Sequence, residues 1–360
     1  MAQAPRKKIK KSGDPLQAFF LMAGVFACLL AAILLWGTIL YPFMAAGLLA
    51  YLMMPLMDNV SGFIKSRAFG ALLVVSLLAG LVFVATVSLF PFLKSQAFAL
   101  LHNLPGYFQG TYQRLVDFVE HARGVMPDAL VQELSGGGSL DAARWLGIAL
   151  KKLLSGGNMV LNAFSFLVLL PLLLFFFLRD GHRGFNYVQA LVPPHFAPLV
   201  MKQLKAMDAA VSGFIRGQAI IALILGVFYA TALSFVGLDF AILIGMGTGL
   251  LTFLPYVGVF LGLSTALLVG FQQFESLSML LWVPGIFAIA QLLDTAFLSP
   301  HFVGSRVNLH PVWILLALFI GGSAYGITGA FFAIPVAAMM GVLMRFGANA
   351  YRKHPSFLGG

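Results

Sequence analysis

A single cysteine, Cys28, occurs in the whole chain, which excludes an intrachain disulfide framework and argues against redox chemistry. Charge is almost as scarce. Only 9% of the 360 residues are Asp, Glu, Lys or Arg, against about a quarter in an ordinary soluble domain. No H-E-x-x-H zinc motif, G-x-S-x-G elbow or P-loop is present. An intramembrane aspartyl protease would need two facing aspartates on helices, and Asp239 and Asp294 do not show that arrangement. These absences argue against an enzyme and leave no catalytic residue, metal site or cofactor to nominate. With no nucleotide site, any transport has to draw on ion or substrate gradients.

What remains is apolar. Hydrophobic residues make up 60% of the chain and the mean hydropathy is +0.95. Runs of about 20 apolar residues recur from end to end, the length a helix needs to cross a hydrocarbon core of roughly 30 Å. Barrel strands would instead alternate over segments of about 10 residues. The chain therefore reads as an all-α polytopic membrane protein. Its formal charge of +10 does not point to nucleic acid, because the basic residues stand beside the apolar runs. The densest group, Arg6, Lys7, Lys8, Lys10 and Lys11, precedes the first run and predicts a cytoplasmic N-terminus. The first run, Leu16 to Leu40, is too long for a signal-peptide core, which favours an uncleaved helix.

Reading along the chain, 1–15 is a basic cytoplasmic terminus and 16–93 holds three transmembrane helices, with a turn at Pro42. In 94–157, charges of both signs and the breakers NLPGYFQG, GVMPDA and LSGGGS predict a small helical extracytoplasmic insertion. One packing face there is Leu115, Val116, Phe118 and Val119; another is Trp145, Leu146, Ala149, Leu150 and Leu153. A fourth helix follows at 158–178. The cytoplasmic segment 179–216 carries Val200, Leu204, Met207, Val211 and Phe214 at alternating spacings of four and three, a narrow apolar face. Packing on its own protein is the simplest use of that face; the membrane interface or subunit pairing are the others. The transmembrane core, 217–345, precedes a cytoplasmic tail, 346–360.

Two blocks in that core are too long for one crossing and broken near the middle: AILIGMGTGLLTFLPYVGVFLGLSTALLVG and VWILLALFIGGSAYGITGAFFAIPVAAMMGVLM. In a lipid-exposed helix interior, Pro255 would cost about 3 kcal/mol. Each half is about 20 Å long, too short to span comfortably. Both blocks therefore read as broken helices or re-entrant hairpins, the alternative being a kink or tight packing through small residues. Hairpins also keep Arg306, Arg345, Arg352 and Lys353 on the cytoplasmic face. Short, Gly/Pro-interrupted apolar segments in corresponding positions point to a secondary transporter's solute site. The candidate pathway comprises Thr252, Pro255, Tyr256 and Gly258 from the first block, and Gly321, Gly322, Ser323, Gly326 and Gly329 from the second.

Asp294 is the sharpest ionisable candidate, beside Gln291 and Thr295 on an apolar helix. It fits cation binding, proton relay or a hydrogen bond to a polyhydroxylated solute; the alternative is an interfacial carboxylate that caps a helix or pairs with Arg306. Asp239 reads as a turn residue. Gln218, Thr248, Ser264 and Thr328 are further polar candidates for a cavity lining, although interhelical hydrogen bonds are the commoner use of such groups.

The motifs LPYVGVFLG, LLFFFLRDG and LSPHFVGSRVNLHPVWILLALFIGGSAYGITGAFFAIPVAAMMGVLMR resemble those of the AI-2E family of transporters, with Pro300, Gly304, His310, Pro311 and Pro335 among the matching structural positions. The resemblance covers nearly the whole chain. It implies about eight transmembrane elements, two of them the broken segments, in the inner membrane of a bacterium with both termini cytoplasmic. It also implies a homo-oligomer, with a pentamer as one form. As cargo it implies a small polar solute such as the quorum-sensing molecule autoinducer-2, or exchange of sodium or lithium for protons. The sequence departs from the common pattern at Asn308, where Gly is usual, and keeps a carboxylate of shorter reach at Asp294. A reading of another class remains: a non-transporting membrane scaffold acting through the insertion.

Overall fold

The computed structural model describes residues 14–64, 66–121, 159–274, 276–303 and 309–353. Among them there is no strand. The helices are α1 (Pro15–Phe63), α2 (Arg67–His121), α3 (Met159–Leu191), α4 (Ala197–Phe235), α5 (Ala241–Leu251), α6 (Val257–Gln273), α7 (Leu277–Leu293) and α8 (Pro311–Arg352), with a π-helix at Asp294–Val303 between the last two. Six described segments are long and apolar enough to cross a membrane, while α5 and α6 are shorter. This is an all-α polytopic membrane protein. The chain divides into two compact units, one holding 1–77, 166–217 and 302–360, the other 78–165 and 218–301.

In the first unit, Asp14 caps α1 by accepting the Leu16 amide at 3.0 Å, and Pro15 takes the first helical position, where its missing N–H costs nothing. The helix is broken at Trp36 (φ −122°, ψ 23°), which yields spans Pro15–Gly37 and Ile39–Phe63. The expected turn at Pro42 is thus displaced. Pro42 lies inside the second stretch, because a proline removes one donor without having to end a helix. The same holds for Pro55, whose absent N–H leaves the Tyr51 carbonyl without its helical donor; Arg216 Nε supplies one at 2.8 Å. The predicted apolar face of α4 packs on its own protein. Val200, Met207, Val211 and Phe214 are buried in one cluster with Ala18 and Met22 of α1 and Ile334, Ala338 and Val342 of α8.

At LLFFFLRDG, α3 continues past the apolar run to Leu191. Arg179 binds Asp180 through Nη2 at 2.6 Å and Nε at 2.9 Å, and its guanidinium lies over the rings of Phe175 and Phe176.

In the second unit, α2 runs unbroken through NLPGYFQG, so that stretch does not separate elements as its composition predicts. Contacts beyond Pro105 explain the continuity: Arg114 Nη1 donates to the Phe271 carbonyl at 2.6 Å, and Gln272 Nε2 to Thr111 Oγ1 at 3.3 Å. Of the two packing faces expected in the insertion, that of Trp145 to Leu153 lies outside the described residues, as do the side chains of Leu115, Val116, Phe118 and Val119.

Helix α4 ends in a Schellman turn. Gly237 (φ 79°) donates to Ser234 and Leu238 to Leu233, satisfying two terminal carbonyls. Asp239 sits in the link that follows, where its amide binds Gln273 Oε1 at 2.8 Å while Gln273 Nε2 reaches the Gly237 carbonyl at 2.6 Å.

Candidate functional site

The Pro255 block is a hairpin. Helix α5 has 11 residues and α6 has 17, about 16 and 26 Å, each short of a roughly 30 Å hydrocarbon core. The reversal depends on small residues. A side chain at Gly245 or Gly249 would collide with the backbone of α4 at Tyr229–Ala230 or Gly226, and one at Gly262 with Thr248. Gly258 lies against the Leu251 carbonyl and the Thr252 amide. Gly245/Gly249 and Gly258/Gly262 thus form two small-xxx-small pairs that bring backbones close where apolar burial drives nothing.

Between the helices, 252–256 is non-helical, and Pro255 is a turn residue rather than a mid-helix kink. Tyr256 adopts φ 68°, an outlier for a bulky side chain, and the residue is 67% exposed. Conformations of this kind cost about 1–3 kcal/mol and cluster at ligand clamps and switches. The Thr252 carbonyl accepts from Gln218 Nε2 of α4 at 2.6 Å, which answers the need to satisfy freed backbone groups at membrane depth. Gln218 is therefore committed to the turn. Thr248 and Thr252 are buried, and their hydroxyls donate to the carbonyls of Ile244 and Gly249 at 2.7 and 2.6 Å.

Asp294 ends α7, and its amide bonds Ala290 and Gln291. Its carboxylate accepts from Ser299 Oγ at 2.8 Å. Ser299 is five positions on, a spacing the π-helix brings together and an α-helix would separate, which is why the sequence does not announce this partner. Thr295, expected beside Asp294, instead donates to the Gln291 carbonyl at 2.8 Å, and both its side chain and that of Gln291 are exposed. In the same unit Tyr229 is buried, its ring tilted 33° to that of Phe287 with centroids 4.6 Å apart. Pro300 lies within the π-helix, whereas Arg306, Asn308 and Gly304 lie outside the described residues.

The second block also folds back. Tyr325 (φ −140°, ψ 21°) and Gly326 (φ 62°, ψ −143°) interrupt α8. A Cβ at either Gly321 or Gly329 would strike the carbonyl of the other, and Gly322 lies near Ala330 Cβ; along a straight helix, residues eight apart are about 12 Å distant. The limbs are unequal. The first, 311–324, is roughly 21 Å long, but 327–352 extends about 39 Å, enough to span. The expectation of two short halves fails for that limb because Pro335 is buried inside a helix that continues through it. His310 caps α8 by accepting the Val312 amide at Nδ1 (3.4 Å), with Pro311 at the first helical position. Ser323 donates to its own helix at the Ile320 carbonyl, 2.9 Å away. The two reversals belong to different compact units.

Sequence reasoning misses two groups here, Ser299 and Tyr325. The Tyr325 hydroxyl donates to the Leu34 and Ile33 carbonyls at 2.6 and 3.0 Å, beside the Trp36 break.

Comparison with known proteins places these features in a group. The family model described as AI-2E family transporter matches residues 20–349. YueF of Bacillus subtilis is 29% identical over 309 residues, covering 84% of this chain and 83% of YueF. YrrI of the same organism is 29% identical over 307 residues, covering 85% and 86%. Both carry provisional names as transport proteins. PerM of Escherichia coli, provisionally named a permease, is 27% identical over 316 residues, covering 86% of this chain and 87% of PerM.

Proposed function

The chain belongs to the AI-2E transporter family, and from that premise we propose that it is a secondary transporter exporting a small polar solute of the autoinducer-2 type. The observation that carries this reading is the unwound 252–256 backbone, set between two helices too short to span and containing the left-handed Tyr256. Discontinuous helices of this kind supply the polar backbone groups at which secondary transporters bind solute. In this reading the protein sits in a bacterial inner membrane with both termini cytoplasmic, following the basic cluster before α1.

Asp294 favours a second reading. A half-buried carboxylate held by Ser299 on an apolar segment suits exchange of Na⁺ or Li⁺ for H⁺. Purified protein in sealed liposomes separates the two, with autoinducer-2 efflux and sodium-driven proton flux measured in parallel. The exporter predicts efflux that Pro255→Ala impairs and Asp294→Asn only reduces. Proton flux abolished by Asp294→Asn establishes the antiporter instead. Silence in both assays rejects autoinducer-2 and sodium as cargo and strengthens the scaffold reading.

A further inference from the structure

Two interruptions in the first unit meet at one side chain. In an unbroken α1, the amides closing onto Ile33 and Leu34 would come from Gly37 and Thr38; both lie directly after the non-helical Trp36. The hydroxyl that reaches those two carbonyls belongs to Tyr325, which is itself the first non-helical residue of the α8 reversal. The fit around it is close. Gly37 is buried, and a Cβ there would run into the Tyr325 ring at Cζ, Oη and Cε1. Tyr41, one turn further along, meets the same ring edge to face, with centroids 5.6 Å apart and planes at 84°.

A break in a membrane helix leaves carbonyls that water cannot satisfy, so they need a protein donor. Here the donor is placed where the other helix also leaves its regular path. From this arrangement we propose that Tyr325 is a positioning residue that fastens the α8 reversal to the α1 break, making the two discontinuities a single joint. Gly37 is its socket. Neither group binds solute; together they set where the tip of the α8 reversal stands relative to α1.

A distance measurement tests the joint without reference to any cargo. Spin labels are placed at Leu35→Cys and Ile327→Cys, both exposed positions, in a Cys28→Ser background. The labelled protein is diluted with unlabelled protein in lipid nanodiscs. Tyr325→Phe keeps the ring and removes only the donor, so the native distance distribution should broaden and gain a longer component while the elution volume stays that of the folded protein. Gly37→Ala, which pushes the ring out of its socket, should produce the same change. The double variant should add nothing further, since both lesions open one contact. A Tyr325→Phe distribution identical to the native one overturns the proposal, as does additive broadening in the double variant. If Gly37→Ala does not accumulate, Tyr325→Phe against native protein decides alone.

Discussion

Arg216 Nε donates to the main-chain carbonyl of Tyr51 at 2.8 Å, and Tyr51 is the residue four before Pro55. The guanidinium replaces the one backbone hydrogen bond that the proline cannot make. A cation midway along α4 is thereby tied to a specific defect in α1.

This pairing predicts a conditional effect. Arg216→Met should lower the stability of the purified protein by about 1 kcal/mol, the cost of orphaning a part-buried acceptor. In a Pro55→Ala background the helix supplies its own donor, so the same substitution should cost much less. Thermal unfolding of the four proteins in detergent measures the difference; equal losses in both backgrounds would show that Arg216 acts elsewhere.

Packing of the α5–α6 hairpin predicts a ranking. Gly249 faces the backbone of α4, which cannot yield, whereas Gly262 faces the Thr248 side chain. Gly249→Val should prevent accumulation of folded protein. Gly262→Ala should cost about 1–3 kcal/mol from overpacking, a loss that Thr248→Ala partly relieves. Comparing folded yield with melting temperature checks this order, and equal tolerance at both sites would contradict the close approach.

Gln218 Nε2 holds the carbonyl of Thr252, the first residue of the unwound turn, at 2.6 Å. Gln218→Leu should therefore slow autoinducer-2 efflux by about tenfold for each 1.4 kcal/mol of turn geometry lost, with membrane insertion unchanged. Gln218→Asn keeps the amide but not the reach, and should fall with the leucine variant. Efflux at the native rate in Gln218→Leu would remove the turn from the pathway.

The Arg179 guanidinium, hydrogen-bonded to Asp180, holds the Asp180 carboxyl below the usual carboxylate range. A carboxyl depressed on folding contributes stability above its unfolded pKa of about 3.9 and loses it as the pH falls through the lower folded value. Asp180→Asn should thus lower the melting temperature at neutral pH and make no difference in strong acid. A gap between the two proteins that persists on acidification would mean that the Arg179–Asp180 pair contributes nothing to it.

How far residues alone reveal this molecule depends on the range of the interaction. The reversals at Pro255 and Gly326 are visible because backbone-breaking residues interrupt apolar runs too long for one crossing. The packed face of α4 is visible because Val200, Met207 and Phe214 obey a helical period. NLPGYFQG misleads because its proline and glycines weaken a helix locally, while Arg114 and Thr111 hold it through partners about 160 positions away. Ser299 is hidden for a different reason: its pairing with Asp294 needs a π turn, and no residue pattern marks one. The polar candidates Gln218, Thr248 and Thr252 stand out as polar groups among apolar ones, but that each donates to a backbone carbonyl depends on where the hairpin turns, which the residue pattern does not specify.

The Tyr325 contact also has a chronology. Its acceptors at Ile33 and Leu34 are synthesised first and its hydroxyl 292 and 291 residues later. At translation rates of about 5–20 residues per second, roughly 15–60 s pass in which α1 is inserted while its break still lacks this donor. The native shape of the first helix is therefore completed by one of the last segments made, and a chain truncated before residue 325 would carry an N-terminal helix that cannot reach its finished form.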